Sequence, residues 1–208
     1  MTDRLVHSWL GRVPYADAHA RQVELRDAIA RGEGSPTLLL LEHDPIVTLG
    51  RRGESGDLLT SRTEMAGRGI EFAQAERGGQ ATYHGPGQLV GYLVARVRDL
   101  APSLPILVEG IEDALIATCA DLGVTARCDG RQHGVWAGHA KIGFIGLAVR
   151  HGICWHGFSL NVDLDLAPFD LIRPCGLDDE VTSIVASGGQ SVSVPDVAEL
   201  TARHLSTL

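Results

Sequence analysis

The sequence predicts a mixed α/β chain of the α+β kind, and three observations carry that prediction. Helical periodicity with clear stops covers 14–31 and 106–122 and resumes from about Pro195. Short apolar, β-branched runs at 37–42, 46–50, 89–97, 141–150 and 153–162 read as strands. The last two are separated only by His151-Gly152, a connection that suits a tight hairpin. At 208 residues the chain fits one domain, 1–208, and is long enough to bury a sizeable core.

Taken in order, the first helix places Tyr15, Ala18, Leu25, Ala28 and Ile29 on one side and meets Gly32 as a stop. Thr37–Glu42 and Ile46–Gly50 read as two strands joined by a turn containing Pro45. Arg51-Arg52 at the strand end suits either a solvated corner or an anionic group. Residues 57–68 read as a short polar helix or loop, and Ile70–Ala75 alternates as a strand. Residues 77–92 then hold five glycines, Pro86, His84 and two tyrosines, a composition for either a hairpin corner or a ligand-lining surface. Pro102 and Pro105 break the chain before the second long helix. Gly134–Ala137 is strand-like, and Gly143 and Gly146 within the next strand imply a bulge or the close passage of a ligand or another backbone. Asp196 and Glu199 open the terminal helix.

A formal charge of −8 argues against general affinity for nucleic acid or anionic membrane, both of which need a basic face. No apolar run is long enough to span a bilayer and the first residues are not a secretory signal, so a cytoplasmic location is expected. Cys119, Cys128, Cys154 and Cys175 lack CxxC spacing and are expected as reduced thiols. Cys154-x-His156 places two metal-capable groups on one strand face, but no second pair completes a zinc motif. Neither a G-x-G-x-x-G nor a P-loop pattern occurs, and the sequence assigns no cofactor and no metal.

Seventeen of the eighteen basic residues are arginine and one is lysine, Lys141. Arginine serves a surface charge as well as lysine does but cannot give up its proton at useful pH, so the solitary lysine is a candidate acid or base. Cys175, held between Pro174 and Gly176, is a candidate nucleophile whose thiolate a nearby cation would favour. The two are 34 positions apart, so only the fold can bring them together. His84 is the competing partner for a cysteine, and it could equally bind substrate or cap a turn.

Arg77-Gly78-Gly79-Gln80-Ala81-Thr82-Tyr83-His84-Gly85-Pro86-Gly87-Gln88, Lys141-Ile142-Gly143, His156-Gly157-Phe158-Ser159-Leu160-Asn161 and Pro174-Cys175-Gly176 together resemble the lipoyl(octanoyl) transferase family. The resemblance runs from about Leu41 to at least Gly176, with Ala140 departing where a basic residue is expected. It implies a biotin/lipoate protein ligase-like fold, a mixed and largely antiparallel sheet flanked by helices. It implies ATP-independent transfer of an octanoyl group from octanoyl-acyl-carrier protein to a lysine of lipoyl-domain proteins, with Cys175 carrying the acyl thioester and Lys141 handling protons. The acceptors implied are lipoyl domains of 2-oxoacid dehydrogenase subunits and the glycine cleavage H protein. Arg77, Gly78, Gly79, Gln80, Ala81, Thr82, Tyr83, His84, Phe144, Ile145, Gly146, Gly157, Phe158 and Ser159 would line the substrate slot. Two alternatives remain open: an ATP-dependent lipoate or biotin ligase, and a non-enzymatic module holding a metal through Cys154 and His156.

Overall fold

The computed structural model describes residues 5–130, 132–173 and 180–208. Strand β1 (Val6–Arg12) leads through Pro14 into helix α1 (Tyr15–Arg31). The helix closes on Gly32 in the left-handed region, whose N–H donates to the Ala28 and Ile29 carbonyls. Next come β2 (Thr37–Glu42), β3 (Ile46–Leu49), α2 (Arg62–Gly67), β4 (Glu71–Gln74) and β5 (Ala81–His84). They are followed by β6 (Gln88–Arg96), the single turn α3 (Val97–Leu100) and the long α4 (Leu104–Asp121). The rest is β7 (Ala126–Arg127), β8 (Gly134–Ala137), β9 (Ala140–Arg150), β10 (Ile153–Asn161) and α5 (Val194–Leu205).

Among the described residues these strands form a seven-stranded sheet in the order β1-β2-β6-β10-β9-β8-β7 and a three-stranded sheet in the order β4-β3-β5. Only β1 with β2 and β3 with β4 run parallel, so the expected mixed, mainly antiparallel architecture holds. The two strands joined at Pro45 form as expected, and the turn carries the chain from the large sheet to the small one, so β2 and β3 do not pair. The β9-β10 hairpin is as expected, with His151 (φ 51°) and Gly152 (φ 76°) both left-handed as a two-residue turn demands.

The central strands read as unbroken apolar runs because both of their faces are covered. Leu38, Leu40, Leu89 and Leu93 pack on one face with Ile111 and Leu115 of α4 and Val197 and Leu205 of α5. Their sequence neighbours Leu39, Leu41, Val90 and Tyr92 pack on the other with Ala18 of α1, as a period of two requires. The small sheet has its own cluster of Val47, Leu49, Met65, Tyr83 and Phe169, which Phe144 of β9 joins from the large sheet.

The glycine-rich segment after β4 ties the two sheets together. Gly50 N–H donates to Gln80 O (3.0 Å) and Arg52 N–H to Gly79 O (3.1 Å) on the small-sheet side, while Gly78 N–H donates to Leu147 O (2.9 Å) on β9. A Cβ at Gly146 would stand 3.1 Å from Gly78 O, so the close passage of backbone expected inside this strand is the 77–80 loop.

Candidate active site

A cleft of about 500 Å³, counting its open mouth, runs between the two sheets. Loop 77–79 forms one rim, Thr82 and His84 of β5 one wall, Phe144, Ile145 and Gly146 of β9 the other, and Gly157, Phe158 and Ser159 of β10 the floor. Of the fourteen slot residues expected from sequence, Ala81 and Tyr83 lie elsewhere. β5 alternates, and these two point into the small-sheet cluster while Thr82 and His84 face the cleft. Gln80 borders a second, wider depression beyond Gly79 and Ile145, which also takes in Arg52, Glu109, Glu112, Gln132 and His133. Sequence reasoning missed Tyr15, Thr48, Val90, Tyr92 and His156 as lining residues. Tyr15 had read as the apolar side of an ordinary scaffold helix, and nothing local marks it otherwise.

Close packing shapes the floor. A Cβ at Gly157 would lie 2.1 Å from Gly91 O, and one at Gly91 would lie 2.2 Å from the Phe158 ring. Both glycines are therefore needed for β6 and β10 to pair with the Phe158 side chain lying between the strands. Phe144 stacks on Phe169 with ring centroids 5.5 Å apart, giving an apolar wall. Arg77 is held at the rim by its neighbours: Nη2 donates to Thr48 O and Thr48 Oγ1 (both 2.8 Å), and Nη1 donates to Gly78 O (3.0 Å).

A buried polar chain runs from this wall towards Lys141. Gln88 Nε2 donates to Asn161 Oδ1 (2.8 Å) and Tyr83 O (3.2 Å), so its Oε1 is the acceptor for His84 Nδ1 (2.6 Å). Asn161 Nδ2 donates to Thr182 O (2.8 Å), and Thr182 N–H donates to Lys141 O (2.9 Å). Burial, reinforced by the neighbouring His43, pushes the His84 imidazole down to about 3. His84 is thus a neutral ring whose Nδ1 carries the proton and whose Nε2 is an acceptor. His43 is lowered by burial as well; its Nδ1 donates to Val13 O (2.6 Å) and its Nε2 accepts from Tyr92 OH (2.7 Å).

Lys141 is 3 % exposed. Its Nζ donates to His133 O (3.2 Å) and Gln132 Oε1 (3.3 Å), and lies 4.5 Å from the Trp136 ring centre and 5.1 Å from that of Phe144. Because Phe144 also lines the cleft, the amine sits just behind the cleft wall. Glu112 of α4 accepts from Gly134 N–H (2.9 Å) and fixes the loop whose His133 carbonyl receives the amine. Cys175 lies outside the described residues, but the chain on its far side is tied to the lysine: Lys141 N–H donates to Glu180 O (2.7 Å), and Lys141 bridges Val181. On its near side Arg173 N–H donates to Asp57 O (2.9 Å). The described cysteines are poor nucleophiles. Burial pushes the Cys119 thiol up to about 12 and those of Cys128 and Cys154 up to about 11.

The metal-holding pair considered from sequence does not form. Cys154 sits in the cluster under α4, whereas His156, at φ +60°, breaks the strand's alternation and packs against His19 of α1.

Residues 14–206 match the lipoyl protein ligase A/B catalytic domain. An octanoyltransferase of Koribacter versatilis is 42 % identical over 202 residues, covering 94 % of this chain and 80 % of that protein. One of Acidobacterium capsulatum is 46 % identical, covering 88 % and 80 %. Among solved structures, lipoate-protein ligase A bound with ATP superposes with a TM-score of 0.76 at 22 % identity, covering 99 % of this chain and 85 % of that one. The biotin protein ligase of Leishmania major gives a TM-score of 0.57 at 16 % identity, covering 98 % and 73 %. These two share the fold, and the match over almost the whole chain places this protein in the lipoyl protein ligase A/B catalytic domain family.

Proposed function

We propose that the chain, acting as one catalytic domain, transfers an octanoyl group from octanoyl-acyl-carrier protein to a lysine of lipoyl-domain proteins without ATP. The observation that carries the reading is the buried Lys141 amine behind the cleft wall, its backbone joined at Glu180–Thr182 to the segment that follows Cys175. The octanoyltransferase names of relatives at 41–46 % identity favour the same reading. The Cys175 thiolate attacks the thioester carbonyl; the departing carrier thiolate takes a proton from the Lys141 ammonium, leaving octanoyl-S-Cys175. The acceptor amine then attacks this thioester, Lys141 takes back a proton, and the Cys175 thiolate leaves. Amide formation from a thioester is downhill, so no nucleotide is consumed.

The mainly apolar lining of the cleft suits an acyl chain. At about 0.8 kcal/mol per CH₂, enclosing most of eight carbons contributes on the order of 5 kcal/mol. The second depression, with Arg52 and Gln132 on its edge, offers a way for the carrier arm or acceptor lysine to reach Lys141.

Intact mass spectrometry after incubation with octanoyl-carrier protein and no ATP tests the scheme. The expected result is an octanoyl adduct released by hydroxylamine and absent from Cys175→Ala. Acyl transfer that requires ATP and survives Cys175→Ser would instead assign the chain to the ligases.

A further inference from the structure

We propose that His19, Glu76 and His156 form a binding site for a zinc-like divalent transition-metal ion beside the cleft, where His156 reaches its lining. The three come from α1, the segment after β4, and β10, so only the folded chain assembles them. His19 Nε2 lies 2.8 Å from Glu76 Oε2, His156 Nε2 lies 3.8 Å from the same oxygen, and all three ligand atoms fall within 4.8 Å of one another. Ligands about 2.0–2.1 Å from a tetrahedral ion stand roughly 3.3 Å apart, so closing this set on one ion asks for shifts on the order of 1 Å.

A second observation points to a ligand. His156 is 2 % exposed, and its Nε2 has no hydrogen-bond partner among the described residues, because Glu76 stands beyond hydrogen-bonding distance. A proton shared between His19 and Glu76 leaves that nitrogen unsatisfied, an arrangement that costs free energy in a buried site. The backbone is shaped to aim it there. His156 takes a left-handed φ of +60°, rare for a non-glycine residue, and Gln22 Oε1 of α1 accepts from its N–H (2.9 Å). The ring then faces that of His19 at 5.9 Å between centres.

The protonation states suit coordination. Burial, with the nearby Arg77 charge, pushes His156 down to about 3, so its lone pair is available at neutral pH. Burial raises the Glu76 carboxyl, but the His19 hydrogen bond and charge outweigh it and leave the group below its ordinary value. Two imidazoles and one carboxylate are a zinc-binding set that leaves a coordination position for water or a carboxylate. Tyr15 and His156 both line the cleft, so the group borders it. The Arg77 charge opposes a cation there.

The test uses the whole protein, stripped with chelator, equilibrated with zinc and gel-filtered, with zinc measured per chain. One equivalent is expected in the wild type and in Cys175→Ser, and at least a tenfold loss of zinc affinity in His19→Asn and in Glu76→Gln. Both altered side chains are partly exposed, and unchanged thermal unfolding without metal shows that the variants fold. Zinc is expected to raise the unfolding temperature of the wild type and of neither variant. The cobalt form should show tetrahedral ligand-field bands without thiolate charge transfer. Failure to retain zinc, or retention that depends on Cys175 and ignores His19 and Glu76, would overturn the proposal.

Discussion

At the scale of single residues, Lys141 is the position on which composition and geometry converge. A chain that fills every other basic position with arginine buries its one lysine against two aromatic faces and two carbonyl-type oxygens. Lys141→Met keeps much of the apolar stem and removes the amine that the proposed mechanism uses as proton carrier, so octanoyl transfer should fall roughly 10²–10⁴-fold. Single-turnover assays with unchanged circular dichroism check this; near-normal turnover would remove Lys141 from the chemistry. Gly134 guards the same amine. At φ +136° it is a glycine position, and a Cβ there would stand 2.8 Å from Lys141 Cε and 2.5 Å from Gly143 O. Gly134→Ala should therefore lower turnover far more than it lowers acceptor binding, which a kcat-against-KM comparison reads. That Lys141 is the one lysine was legible from composition, and its burial behind the cleft wall was not. The His19–Glu76–His156 grouping was not legible either, because its members are separated by 57 and 80 positions and the left-handed turn at His156 cancels the period-two rule.

At the scale of elements, the helices and central strands were readable because their signals are local. Gly32 does stop α1, the apolar run 37–42 is β2, and His151-Gly152 turns the hairpin. β1 went unread because Val6–Arg12 mixes exposed and half-buried positions with no clean alternation. β5 went unread because glycines on both sides made 77–88 look like one loop ahead of the strand at 89–97. Which sheet each of β2 and β3 would join was not legible, because adjacency in sequence with a short turn favours a hairpin, and here tertiary packing sends the second strand to another sheet. The β6–β10 pairing has a narrow tolerance. Gly91→Ala places a methyl group against the Phe158 ring and should destabilise the fold by about 1–3 kcal/mol while narrowing the cleft. Chemical denaturation measures the loss, and a stability equal to wild type would show that Phe158 moves freely.

For the whole molecule, acid sensitivity follows from buried histidines. His84 and His156 are held near 3 against an ordinary 6.5, and His43 is lowered in the same direction. Between those values the unfolded chain binds more protons than the folded one, so stability is complete above about pH 6.5 and is lost as pH falls towards 3. Each fully shifted group contributes a slope of up to ~1.4 kcal/mol per pH unit within that window. Urea unfolding in chelator between about pH 7 and 4 should show the decline, and a flat profile would mean that these rings are solvated. The same burial bears on a hazard peculiar to any catalyst that carries an activated acyl group destined for amines. Every other lysine-or-arginine position has been written as arginine, and the single lysine is buried. The folded protein thereby presents no lysine of its own to compete with its client, a form of self-protection achieved by spelling rather than by a shield.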